Sequence, residues 1–279
     1  MTLSSSNAFG FGRSLATLQL AVAMLLPEGG ASAQARKDYA QTPTPKAVAR
    51  RMLEIGGASP NDVVADLGSG DGRIPILAAQ EFGAQAIGVE LDKALHAAAL
   101  TNAQRAGVGS RVTLINGDLF QADLAEVTLL TIYLPQSLTL QLRPRILNDM
   151  RPGTRVVSHE FGMGAWLPDR AESVEGRAIR VWVVPARVDG PWRLETAGEI
   201  IDLDFRQTFQ EVSGTALLNG LRTPLLGAHL RGTMIRFSIA PPGSAARHFQ
   251  GVVGSDAMTA ADSSAEAPRA VADWRAVRQ

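Results

Sequence analysis

Residues 63–92, VVADLGSGDGRIPILAAQEFGAQAIGVELD, restrict the possible folds of this chain more than any other segment. They begin with an apolar, β-branched run, pass through alternating glycines into a helical pattern, and end with a second apolar run followed by acids. A succession of strand, helix and strand is typical of a βαβ unit, in which the two strands are parallel. The segment therefore predicts an α/β fold built on a parallel sheet.

Helical patterns and apolar β-branched runs continue to alternate up to about residue 186. A first helix is expected after Thr44, with Thr44 as its cap and Pro45 as its first residue. Helices are also expected at residues 74–82 and 93–107, and strands at residues 112–117, 127–133 and 154–161. The run IRVWVVPA, residues 179–186, is predicted to be a sixth or a seventh strand of the same sheet.

After residue 187 the pattern changes to short runs in which apolar and polar residues alternate, with Gly, Pro, Asn and Asp between the runs. Alternation with a period of two is typical of antiparallel strands that have one solvated face. We therefore expect a small antiparallel β domain at residues 187–279, after an α/β domain at residues 34–186. A chain of 279 residues, 46% of them hydrophobic, is long enough to form two cores.

The amino-terminal residues have the pattern of a secretory signal peptide. Arg13 precedes the apolar residues 15–26, and the small residues Ala31, Ser32 and Ala33 follow, which predicts a signal at residues 1–33 and a periplasmic or secreted mature protein. A misassigned start codon, with a cytoplasmic protein, and a short membrane anchor are the alternatives. The chain has no cysteine, which excludes disulfides, thiol catalysis and thiolate metal sites.

The glycines at positions 68, 70 and 72 allow a tight turn and a close approach of a ligand to the backbone. The helix that follows directs free N–H groups and the positive end of its dipole toward the same place. Such a loop suits any nucleotide-like ligand, but the Gly-Lys-Ser/Thr sequence of a Walker-type phosphate loop is absent.

Acids at the ends of successive strands narrow the choice of ligand. Asp66 comes directly before the glycines, where a carboxylate repels a pyrophosphate and attracts an amino group. Glu90 ends the next strand, where a carboxylate can accept both hydroxyls of a ribose. Asp118 follows a further strand and can reach the amino group of an adenine, with Leu119 against the ring. The pattern indicates a ligand with a cationic end and an adenosine end.

The segments DLGSGDGR, GVELD and NGDLF resemble the successive cofactor motifs of class I S-adenosylmethionine-dependent methyltransferases. The segment YLPQSLTLQLRPRILNDMRPGTRVVSHEFGMGAWLPD also resembles bacterial members of this class, and more distantly the related lysine methyltransferases. The resemblance covers about residues 39–185. It implies a Rossmann-like doubly wound sheet and S-adenosylmethionine as the cofactor.

The resemblance also implies roles for individual residues. Asp66 and the glycines would hold the methionine end of the cofactor, Glu90 the ribose and Asp118 the adenine. Tyr39 would close over the cofactor, although it is equally expected as a packing anchor, and Asp71 has the alternative role of favouring the helix start. The predicted cofactor residues are Tyr39, Asp66, Gly68, Ser69, Gly70, Asp71, Gly72, Glu90, Asp118 and Leu119.

Two residues are candidates for catalysis on the acceptor side. Tyr133 follows the fourth strand, at the edge of the sheet where ligands bind in open α/β folds. His159 ends the fifth strand and could take a proton from an amine, but a hydrogen-bonded core histidine is an equal alternative. No metal site is predicted, because no His, Asp and Glu cluster has ligand spacing.

These patterns predict an S-adenosylmethionine-dependent methyltransferase that acts on a protein amine, such as lysine, or on a small molecule. The predicted signal peptide supports an alternative, an exported protein that retains the fold and binds a nucleoside or another small ligand without catalysis. Aminopropyl transfer is a third possibility, but the paired acids of a polyamine pocket are not evident. A formal net charge of zero disfavours a nucleic-acid partner, and no membrane span is expected after signal cleavage.

Overall fold

The computed structural model describes residues 43–261 and 270–279. The predicted signal peptide and Tyr39 lie outside the described residues. No helix in these two ranges is long and apolar enough to cross a membrane.

The first part of the described chain forms a 7-stranded sheet with the order β3-β2-β1-β4-β5-β7-β6. Strands β1 to β5 are parallel, and β7 pairs antiparallel with both β5 and β6. Residues 179–183 of the run IRVWVVPA therefore belong to the seventh strand, and residues 184–186 follow it. The bounds of the strands are β1 Val63–Leu67, β2 Gln85–Glu90, β3 Val112–Asn116, β4 Leu129–Ile132, β5 Arg155–His159, β6 Arg170–Val174 and β7 Arg177–Val183.

Helices cover this sheet, and both sides of it are packed into apolar cores. Their bounds are α1 Lys46–Ile55, α2 Arg73–Phe82, α3 Lys93–Arg105 and α4 Gln136–Asp149, and a short 3-10 helix spans Leu119–Gln121. The sheet order and the helices on its faces confirm the Rossmann-like fold.

The predicted start of α1 is wrong in one respect. Pro45, and not Thr44, is the cap residue, and no side chain in the part of the chain that the structure describes caps the helix. The reason is that the Thr44 hydroxyl is occupied elsewhere, 3.2 Å from Nδ1 of His159. The helix ends at Ile55, with Gly56 as its carboxyl-terminal cap.

The second part of the described chain forms a closed antiparallel barrel, β10-β11-β12-β13-β14-β15-β8-β9. It confirms the predicted antiparallel β domain, while the domain boundary at residue 186 stays a prediction. The core of the barrel contains aromatic residues, among them Trp192, Phe205, Phe237, Phe249 and Trp274. The strands are β8 Gly190–Thr196, β9 Glu199–Thr208, β10 Glu211–Leu218, β11 Leu221–Arg231, β12 Met234–Ile239, β13 Arg247–Val253, β14 Ala257–Ala260 and β15 Arg275–Arg278.

The turn between β9 and β10 joins the barrel to the α/β sheet domain. The ring of Phe209 stacks on Trp166 with centroids 6.0 Å apart, and Gln210 donates a hydrogen bond of 2.7 Å to the carbonyl of Leu167. Arg143 of α4 lies over the Phe209 ring and also donates to the carbonyl of Met163. The barrel therefore supports the segment that follows β5.

Candidate cofactor and acceptor site

The glycine loop connects the carboxyl end of β1 with the amino end of α2. Gly68, Gly70 and Gly72 have φ values of 80°, 56° and 79°, in the left-handed region that favours glycine. The N–H of Gly68 donates to the carbonyl of Val89 at 2.9 Å and ties the loop to β2. A Cβ atom at Gly70 would meet nothing within 4 Å among residues 43–261 and 270–279. With respect to these residues, the loop presents its backbone to open space at Gly70.

Asp66 lies near the carboxyl end of β1 and is 4% exposed. Burial raises the pKa of its carboxyl to about 7, the charges of Glu90 and Asp71 add to this, and the hydrogen bond from Thr131 opposes it. That hydrogen bond joins Thr131 Oγ1 to Asp66 Oδ1 at 2.7 Å. A buried carboxylate with so little compensation is stabilised by a cationic group, such as an amino group of a ligand.

Glu90 ends β2 and is 6% exposed. Its Oε2 accepts the N–H of Gly70 at 2.8 Å, and its Oε1 accepts the N–H of Asp92 at 2.7 Å. These two bonds fix the orientation of the carboxylate beside the glycine loop. Because each carboxylate oxygen can accept two hydrogen bonds, Glu90 can still accept the two hydroxyls of a ribose.

A pocket opens between the glycine loop, the end of β2 and the segments that follow β3 and β4. Among its lining residues are Gly68, Gly70, Glu90, Asp118, Leu119 and Tyr133. Asp118 begins the short 3-10 helix, and its Oδ1 accepts the N–H of Phe120 at 3.0 Å. The pocket thus brings five of the ten predicted cofactor residues together with one of the two predicted catalytic residues, and Asp66 is not among its lining residues.

Three predicted cofactor residues of the loop face elsewhere. Ser69 is buried against β2, where its Oγ lies 2.8 Å from the position that a Cβ on Gly88 would take. Asp71 pairs with Arg73 at 2.7 Å, and the Arg73 guanidinium lowers the pKa of the Asp71 carboxyl. Gly72 packs against α3, since a Cβ there would lie 3.0 Å from that of Ala99. Their roles in cofactor binding stay predictions.

Tyr133 and His159, the two candidates for catalysis, lie against each other with ring centroids 4.1 Å apart. His159 is fully buried. Burial lowers the pKa of its imidazole. The charge of Glu160 raises this pKa and the charge of Arg177 lowers it, and the ring is neutral at pH 7. Its Nε2 has no hydrogen-bond partner among the described residues. Of the two residues, Tyr133 is the one that lines the pocket, and the catalytic roles of both stay predictions.

Two hydroxyl residues at this site are not predicted as site residues from the sequence. Thr131 stands beside Asp66 in the register of β4 and β1, and the signal for it is a hydroxyl between the apolar residues Leu130 and Ile132 of this strand. Thr44 contacts His159, and its carbonyl accepts a hydrogen bond of 2.8 Å from Arg73. No local pattern indicates this contact, because it joins residues 115 positions apart.

A larger cavity, of about 1000 Å³, lies between the outer face of the barrel and the amino end of β5, near Gly153 and Arg155. The glycine loop and the strand-end acids lie at the carboxyl ends of the strands, which is where ligands bind in open α/β sheets. The smaller pocket beside the glycine loop is therefore the candidate cofactor site.

Known proteins match this α/β part of the chain. A family model described as the ANTKMT methyltransferase domain matches residues 66–170. A protein-lysine N-methyltransferase of Saccharolobus islandicus is 43% identical over 134 residues, 48% of this chain and 83% of the relative. The adenine nucleotide translocase lysine N-methyltransferase of Mus musculus is 34% identical over 156 residues, 54% of this chain and 66% of the relative. A solved structure, described as an RNA methyltransferase from Salinibacter ruber in complex with S-adenosyl-L-homocysteine, is 47% identical with a TM-score of 0.52, and the match covers 53% of this chain and 96% of that one.

The sheet order, the pocket and these relatives show that the chain belongs to the class I S-adenosylmethionine-dependent methyltransferases. Within this class, residues 66–170 match the ANTKMT methyltransferase domain. The cofactor is S-adenosylmethionine, and the residues present fit it. Asp66 offers a poorly compensated buried carboxylate for the amino group, Glu90 offers oriented acceptors for the ribose, and Gly70 leaves room for the ligand.

Proposed function

We propose that this enzyme methylates the ε-amino group of lysine in a protein acceptor. The names of the Saccharolobus and mouse relatives support a lysine acceptor. The observation in this chain that carries the proposal is the contact of Tyr133 with His159 at the border of the cofactor pocket. An aromatic ring beside a neutral histidine suits an alkylammonium group, which is attracted by the ring face and must lose a proton before it reacts.

S-adenosylmethionine supplies a methyl group on a sulfonium, which is a good leaving group, so positioning and exclusion of water can supply most of the rate. The chain's own residues have to orient the amine and receive its proton. His159 is neutral, and a tautomer with the proton on Nδ1, shared with Thr44, leaves Nε2 as an acceptor. Because His159 is fully buried behind Tyr133, the amine meets Tyr133 first.

The acceptor class can be tested with cofactor that carries a labelled methyl group. The purified chain would be offered a protein fraction, total RNA and small amines in parallel, with Glu90→Ala as a cofactor-binding control. We expect label in protein, located on lysine by mass spectrometry of peptides, and far less with the control. Label in RNA would favour the function for which the Salinibacter structure is named, although a net charge of zero gives little attraction for a polyanion.

We also propose that the chain is exported, with cleavage before Gln34. The support is the sequence alone: Arg13, the apolar residues 15–26, and the small residues Ala31, Ser32 and Ala33. Mass spectrometry of the native amino terminus after cell fractionation tests this. We expect Gln34 as the first residue in the periplasmic fraction, and an unprocessed cytoplasmic chain would refute export. A processed chain that binds nucleosides but transfers no methyl group would favour the binding-protein alternative.

A further inference from the structure

The residue after β5, Glu160, has an unusual backbone conformation. Its φ is 64°, and the N–H of Phe161 donates to the carbonyl of His159 at 2.8 Å, so Glu160 is the central residue of a three-residue turn. Turns of this kind with a positive φ are rare and strained, and a side chain larger than the hydrogen of glycine raises their conformational energy further. A glycine would fit this position better, and the sequence has a glutamate.

The surrounding structure holds Glu160 firmly in this conformation. The N–H of Glu160 donates to the carbonyl of Ala178 at 2.7 Å, and the guanidinium of Arg180 donates to the carbonyl of Glu160. The residues on either side, His159 and Phe161, both place their rings against Tyr133, with centroid distances of 4.1 and 6.0 Å. The strained turn thus packs its neighbours around the aromatic residue that lines the cofactor pocket.

The Glu160 carboxylate remains available to a ligand. The side chain is 34% exposed, and its Oε1 lies 3.8 Å from Nε2 of His159. Among the described residues no arginine or lysine forms an ion pair with it. This carboxylate lies next to His159, whose ring contacts the pocket-lining Tyr133. A carboxylate near an aromatic ring can recognise an ammonium group by charge and by cation–π attraction together.

We propose that Glu160 binds the acceptor amine, which deepens the proposed function and rests on it. The carboxylate holds the lysine ammonium next to Tyr133. During transfer, positive charge moves from the sulfonium to the lysine nitrogen, and a fixed carboxylate beside that nitrogen stabilises the charge as it develops. The hydrogen bonds with Ala178 and Arg180 fix the backbone that carries the carboxylate, which limits the reorganisation needed at the moment of reaction.

Glu160→Gly and Glu160→Gln separate this role from a structural one. Glycine relieves the strain and removes the carboxylate, whereas glutamine keeps the shape and removes only the charge. Glu175 supplies a matched control, because it is an exposed glutamate with a φ of 51° in the turn between β6 and β7. Glu175→Gly relieves a similar strain at the same edge of the sheet, at a residue that does not line the cofactor pocket, and it leaves the Glu160 carboxylate in place.

The readouts are methylation of a lysine acceptor, the affinity for S-adenosylhomocysteine and thermal unfolding. We expect both Glu160 variants to lose about 10- to 100-fold in kcat/KM for the acceptor, with unchanged cofactor affinity. Both glycine variants should be as stable as the wild type or more stable, and Glu175→Gly should keep full turnover. Full turnover in Glu160→Gly would overturn the inference and leave the lysine acceptor standing. A wild-type chain that methylates RNA or other acceptors but no amine would overturn both.

Discussion

Cofactor affinity is predicted to depend on the ionisation of Asp66. Burial raises the pKa of this carboxyl to about 7 in the protein without ligand. The amino group of S-adenosylhomocysteine is a cation in neutral solution, and a cation beside Asp66 favours the ionised carboxylate. Binding therefore requires that Asp66 lose a proton, and affinity should rise with pH up to about 7.

The size of the effect follows from the ionised fraction. With a pKa of about 7, about half of the Asp66 carboxyls are ionised at pH 7 and about 3% at pH 5.5. A ligand that binds only the ionised form has its apparent affinity reduced by that fraction, so Kd should be about fifteenfold higher at pH 5.5 than at pH 7. Both pH values lie below the pKa of an α-amino group, near 8, so the ligand stays charged.

Calorimetric titration with S-adenosylhomocysteine at the two pH values measures this directly. At pH 7, titrations in buffers of different ionisation enthalpy should show release of about half a proton on binding. Asp66→Asn should bind more weakly at pH 7 and lose the pH dependence, whereas the exposed Asp123→Asn should behave as the wild type. An equal Kd at both pH values in the wild type, or the full dependence in Asp66→Asn, would refute the reasoning.

Four further predictions concern the cofactor pocket and the barrel. Glu90→Ala should weaken S-adenosylhomocysteine binding about 10- to 100-fold with an unchanged circular dichroism spectrum, and unchanged affinity would exclude Glu90 from the site. Gly70→Val should abolish measurable binding, because its φ of 56° disfavours a β-branched residue and the side chain would occupy ligand space; retained binding would show that the ligand lies elsewhere. Residues 34–186 alone should bind cofactor but lose acceptor turnover, and Phe209→Ala in the full chain should lower turnover in part. A truncated chain that is insoluble or binds no cofactor would contradict the domain boundary at residue 186.

The sheet, the glycine loop and the strand-end acids could be predicted because their signals are local. Asp66 and Glu90 each stand at the end of an apolar run, and the carboxyl ends of parallel strands meet at the same edge of a sheet. The barrel was predictable only as antiparallel strands. Its closure depends on pairing between β8 and β15, near opposite ends of the β domain, and no pattern within either strand specifies that partner.

The acceptor side could be predicted only in part. Tyr133 and His159 were recognisable as residues at strand ends, but their contact and the contact of Thr44 depend on long-range packing. The strained conformation of Glu160 is invisible in the sequence, since glutamate carries no preference for a positive φ. Likewise, the hydrogen bond between Thr131 and Asp66 follows from the register of two strands and not from either strand alone.

A crystal structure of the chain with S-adenosylhomocysteine tests the central claim most directly. We expect the amino group of the ligand at the Asp66 carboxylate, the ribose hydroxyls on the two oxygens of Glu90, and the adenine beside Asp118 and Leu119. We also expect the sulfur to face Tyr133. A ligand bound outside the glycine loop, or bound with its adenine at Asp66, would contradict the assignment of this pocket as the methyltransferase site.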